Sequence, residues 1–146
     1  MEVYDLDDPL TATSQLANIS TRGFVSTGDN VLIGGFISGP GSDDGKVLMR
    51  AIGPSLANAG VSGALQNPTL ELFNGNGDSI AFNDHWQDTA GDEILATGLA
   101  PTDSSESAIL SALVAGSYTI IVRGVDDSTG VALVEAYHLP NATPTK

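Results

Sequence analysis

The residues with the most evident chemistry stand together at positions 83–88, Asn83-Asp84-His85-Trp86-Gln87-Asp88. Carboxylate and amide oxygens at short spacing are what a hard cation such as calcium requires. Asn83, Asp84 and Asp88 are therefore the candidate metal ligands, with calcium as the ion. Trp86 is the candidate ligand-binding residue, an aromatic face on which a sugar could stack. A plainer reading competes with both: a polar loop held by Asx turns, with the lone Trp in the core. No EF-hand loop pattern is present.

Material for catalysis is thinner. His85 neighbours Asp84 and Asp88, Ser55 sits in Gly53-Pro54-Ser55, and His138 lies in an apolar run without a partner nearby in sequence. Neither a G-x-S-x-G elbow nor H-E-x-x-H occurs. The absence of cysteine excludes disulfides, thiolate metal sites and cysteine nucleophiles. The expectation is a protein that is not an enzyme. Arg50 and Arg123 interrupt apolar runs. Each is expected to pair with a carboxylate or with loop carbonyls, because an unpaired buried guanidinium is costly.

The elements that must position these residues are strands. Residues 69–73 (TLELF) alternate apolar and polar, the period of a strand with one buried face. Asn74-Gly75-Asn76-Gly77-Asp78 is hairpin-turn chemistry, and 79–82 (SIAF) return. Further strands are expected at 2–6, 19–25, 30–38, 46–52, 106–113, 117–125 and 131–139. The run at 30–38 reads as buried, and its Gly34-Gly35 pair as a bulge or a close approach. Residues 56–65 read as a helical turn or an irregular crossover, and 92–99 as one acid-capped helical turn. Seventeen Gly and seven Pro punctuate the chain. The fold expected is all-β, an antiparallel β-sandwich or jelly roll of eight to nine strands. Its 146 residues make one domain, with 1–8 as an exchanged or preceding-repeat strand and 140–146 as a polar tail.

Charge narrows the partners. The net charge is −13, and Arg22, Lys46, Arg50, Arg123 and Lys146 are the whole basic complement. Nucleic acid needs clustered Lys and Arg, and anionic membranes repel such a chain. The apolar runs are too short for a membrane span. The expectation is no nucleic acid and no membrane insertion.

Residues 70–139 resemble the bacterial pre-peptidase C-terminal-like domains. The matching pieces are Leu70-Glu71-Leu72-Phe73, Asn76-Gly77, Asn83-Asp84, and Ala115-Gly116-Ser117-Tyr118-Thr119-Ile120-Ile121-Val122-Arg123-Gly124 with the closing strand. LANISTRGFV, GDNVLIGGFI, VLMRAIGPSL and GVALVEAYHL resemble segments of a repetitive secreted bacterial module of uncharacterised function. The resemblances imply an extracellular or cell-surface β-sandwich, often in tandem copies, without catalytic residues. Calcium near the acidic loop is what the first resemblance implies for Asn83 and Asp84.

One pattern occurs twice. Glu2-Val3-Tyr4-Asp5-Leu6 repeats the Glu, Tyr and Leu of Glu135-Ala136-Tyr137-His138-Leu139 at the same spacing. One sandwich has a single slot for such a strand. Glu2, Val3, Tyr4, Asp5 and Leu6 are therefore the candidate assembly residues, pairing with other copies of the chain or with neighbouring repeats. The function expected is a structural module assembling head to tail. The alternative is a calcium-dependent carbohydrate- or surface-binding module.

Overall fold

The computed structural model describes residues 18–39 and 45–140. Eight strands run in chain order: β1 (Asn18–Val25), β2 (Leu32–Ser38), β3 (Gly45–Ile52), β4 (Pro68–Phe73), β5 (Ser79–Asn83), β6 (Ser107–Ser111), β7 (Gly116–Gly124) and β8 (Gly130–Pro140). One short helix, α1 (Gly91–Ala96), and a 3-10 segment at Pro54–Ala59 lie between strands. The expected strand at 2–6 and the tail beyond residue 140 lie outside the described residues.

The strands form two four-stranded sheets, ordered β1-β8-β3-β6 and β2-β7-β4-β5. This is an antiparallel sandwich with the strand order of an eight-stranded jelly roll. The logic is that of one long ribbon. β4 pairs with β5, β3 with β6, β2 with β7 and β1 with β8, all antiparallel. Rolling the ribbon then joins β3 to β8 and β4 to β7. The 74–78 turn is the ribbon's tip. There Asn74 Oδ1 accepts from the amides of Asn76 and Asp78 at 2.9 and 3.0 Å, and Gly77 takes φ 85°. A positive φ there is why the turn needs glycine.

The main core lies between the sheets. Val47, Met49 and Ala51 of β3 and Val134 and Ala136 of β8 meet Leu70 and Leu72 of β4 and Ile120 and Val122 of β7. The outer faces differ. That of the β1-β8-β3-β6 sheet carries two smaller clusters. Trp86 and Ile94 pack on Leu48 and Ala108, and Leu56 and Ala64 pack on Ile52. Strands buried on both faces read as continuous apolar runs, as β3 does. The outer face of the other sheet exposes Ile33, Ile37 and Phe82. β2 is therefore a half-exposed edge strand and not the buried one its composition suggested.

The Gly34-Gly35 pair makes no bulge. β2 and β7 keep one register from Leu32↔Val122 to Ser38↔Gly116. A Cβ on Gly34 would lie 3.4 Å from Val134 Cγ1, so this glycine lets the sheets approach. The irregularity falls instead between Leu72 and Phe73, where β4 meets β5.

Candidate functional site

The acidic exit at 83–88 leaves β5 and starts the segment that covers the first sheet. Asn83 is buried, and both ends of its amide serve the fold. Its Oδ1 accepts from the Ala108 amide at 3.0 Å, and its Nδ2 donates to the His85 carbonyl at 2.9 Å. The Asp84 carbonyl accepts from Ser107 Oγ at 2.7 Å. Asn67, with its amide turned to satisfy both atoms, donates to Asp84 Oδ1 at 3.1 Å and to the Ser105 carbonyl at 3.0 Å. Asp84 Oδ2 and Asp88 Oδ2 lie 3.6 and 3.8 Å from His85 Nδ1.

The three expected calcium ligands are thus not presented together. Asn83 closes the seam between β5 and β6, and the two aspartates flank an imidazole. Among the described residues no group of three or more His, Cys, Asp or Glu side chains is arranged to hold a metal ion. Trp86 is corrected as well. It is 8% exposed, against Leu48, Ile94 and Ala108, so its ring is not a platform for a ligand. The apolar strands beneath it had to be covered, and the large ring does that.

Ser55 and Glu106 form a hub at the same end of the sandwich. Glu106 is fully buried. Its Oε1 accepts from the Gly53 amide at 3.0 Å, the Ser55 amide at 2.9 Å and Ser55 Oγ at 2.5 Å. A carboxylate that accepts several N–H bonds ties two loops together. Here it fixes the start of the Pro54–Ala59 segment to the head of β6. Ser55 lies in the first turn of the 3-10 segment, and its hydroxyl is spent on the Glu106 carboxylate. His138 Nε2 is buried without a hydrogen-bond partner among the described residues. Sequence reading passed over Glu106. Its signal was an acid at the head of an apolar run.

The largest polar constellation lies on the outer face of the first sheet. Arg50 of β3 stands opposite Glu135 of β8. Its Nε donates to Glu135 Oε2 at 2.9 Å, and its Nη2 bonds the same oxygen. Nη2 also donates to Tyr137 Oη at 3.0 Å, and Nη1 to the Leu99 carbonyl at 2.6 Å. Tyr137 donates in turn to Glu135 Oε1 at 3.0 Å, and the guanidinium lies 5.0 Å from its ring centroid. Burial raises the Tyr137 hydroxyl above the usual tyrosine range; Arg50 opposes that and Glu135 adds to it. Arg50 thus meets both kinds of partner expected for it. Arg123 is half-exposed and lies 3.5 Å from Glu71 on the open face of the other sheet.

This constellation docks a strand. Glu135 and Tyr137 lock β8 against β3, and Leu139 joins the apolar cluster under Trp86. β8 is central, with β1 on one side and β3 on the other. The pattern Glu-x-Tyr-x-Leu is therefore a strand-docking device. Its second copy, at Glu2, Tyr4 and Leu6, lies outside the described residues.

No family model matches the chain, and no curated protein matches it.

Proposed function

We propose that the chain is a non-catalytic structural module of the extracellular or cell-surface type. It assembles head to tail, as a fibre subunit or a repeat of a tandem surface protein, by pairing its terminal strand with a neighbour. One observation carries this reading. The Glu135-x-Tyr137-x-Leu139 strand fills the central slot of its sheet, held by Arg50. The same residue types recur at the same spacing in Glu2, Tyr4 and Leu6. That central slot being filled, the second copy carries the same docking pattern for another edge.

Two further features support the reading. Ser55, Glu106 and Asn83 each bond protein groups and serve the fold. β1 and β8, beside which the two copies of the pattern lie in sequence, are paired with Asn18 opposite Tyr137. The first described residues of β1 and the last of β8 therefore lie at one end of the sheet.

The test is deletion of residues 1–8, followed by light scattering. The intact chain is expected to self-associate as concentration rises. The shortened chain is expected to remain a folded monomer. Equal self-association by both would sink the reading.

A further inference from the structure

β1 is the edge of its sheet. One side pairs with β8; among the described residues no strand pairs with the other. Long, flat, open edges invite a further strand, so proteins shorten, bulge or cover them. β6, at the opposite edge, is short and largely buried. β5, an edge of the other sheet, is short and irregular. Among the described residues β1 has none of these protections and runs eight residues in unbroken register with β8. β2, the remaining edge, is also in unbroken register but carries no charged residue.

Arg22 points outward from this edge. Ile19 packs into the main core, and Gly23 faces Leu32, so the even-numbered residues of β1 face out. Lys46, Arg50 and Arg123 each meet a carboxylate. Among the described residues Arg22 has no hydrogen bond and no ion pair, in a chain of net charge −13.

The sheet geometry says what would satisfy it. β1 and β3 both run antiparallel to β8, so they run parallel to each other. Arg22 stands opposite Leu133, and Arg50 opposite Glu135, two residues further along β8. The two arginines therefore leave the same face in the same phase of the pleat. An antiparallel strand added to the free side of β1 would stand to β1 as β8 stands to β3.

We propose that this free side of β1 is the acceptor for residues 2–6 of a second copy. Glu2 lies opposite Arg22, Tyr4 opposite Ser20 and Leu6 opposite Asn18. Arg22 is then held by Glu2 and Tyr4 as Arg50 is held by Glu135 and Tyr137. The register copies the observed pairs Arg50↔Glu135, Leu48↔Tyr137 and Lys46↔Leu139. The proposal rests on the head-to-tail reading and names its acceptor. The incoming strand brings Glu2 toward a cation that has no ion pair among the described residues, so the charges match. Residues 7–17 can span up to about 36 Å, against about 15 Å for the width of four strands, so the donor can leave its own sandwich. Donor and acceptor are different surfaces, so the contact is heterologous and growth is open-ended.

Charge reversal on the full chain tests this. Arg22→Glu and Glu2→Arg are made separately, and their fold is checked by circular dichroism. Each alone is expected to weaken self-association by about tenfold or more, because like charges then face one another. An equimolar mixture of the two is expected to associate, since each variant's strand now matches the other's edge. If Arg22→Glu associates like the parent chain, β1 is not the acceptor, although head-to-tail assembly stands. If the mixture stays monomeric while the parent associates, the Glu2–Arg22 pairing between copies is wrong. If the parent chain is itself monomeric, both this proposal and the reading beneath it fall.

Discussion

Arg50 and Glu135 face each other across β3 and β8, and one carboxylate oxygen accepts from both Nε and Nη2 of the guanidinium. The pair is largely withdrawn from water, with side chains 15% and 9% exposed. Breaking such a pair from one side strands a charge, whereas removing both sides does not. Arg50→Met is therefore expected to cost about 3–5 kcal/mol in urea unfolding. The double variant Arg50→Met/Glu135→Leu should recover most of that loss. A stable single variant would show that the pair is not what locks β8 to β3.

Glu106 holds the amides of Gly53 and Ser55 at the end of the sandwich. Glu106→Ala leaves these donors without their acceptor. The expected loss is about 2 kcal/mol or more, since each unsatisfied buried group costs about 1–3 kcal/mol. Loosening should centre on 53–59, which hydrogen exchange would report. Protection unchanged there would contradict the role given to Glu106.

Tyr137 supplies a pH dependence. Its hydroxyl is raised above the ordinary value of 10.0, first by burial. The unfolded chain then loses this proton at lower pH than the folded one. The stability that this group contributes is fully present below about pH 10 and is lost as pH rises through the folded value. Thermal melts should show an alkaline decline starting near pH 10, and Tyr137→Phe should lessen it. An identical decline in the variant would assign it elsewhere.

Asn83 uses both ends of its amide inside the protein. Adding millimolar calcium, or chelating it, should therefore leave the melting temperature unchanged. Asn83→Asp should destabilise, because it removes the donor to the His85 carbonyl and buries a charge. A calcium-dependent rise in melting temperature would instead restore Asn83, Asp84 and Asp88 as a cation site.

The strands were legible because alternation and turn residues act locally. The 69–82 hairpin could be read residue by residue, and so could α1 from its acidic first turn. The strand order was not legible. β1 joins β8 across the whole chain, and no local pattern encodes a pairing made by rolling a ribbon. The covering of one sheet left a trace in the continuous apolar run of β3, but not the identity of its cover. That Arg50 required a carboxylate followed from physics. That the carboxylate was Glu135, 85 residues away, did not. Asn83 and Asp84 looked like ligands because the groups that close a β seam are the same oxygens that bind cations. Only the geometry separates the two uses.

The central claim is that residues 2–6 join one copy to the next, and electron microscopy of the intact chain over a range of concentrations tests it most directly. The account predicts linear, open-ended assemblies that lengthen with concentration, with or without calcium, and that vanish when residues 1–8 are removed. Dispersed monomers at every concentration would contradict it.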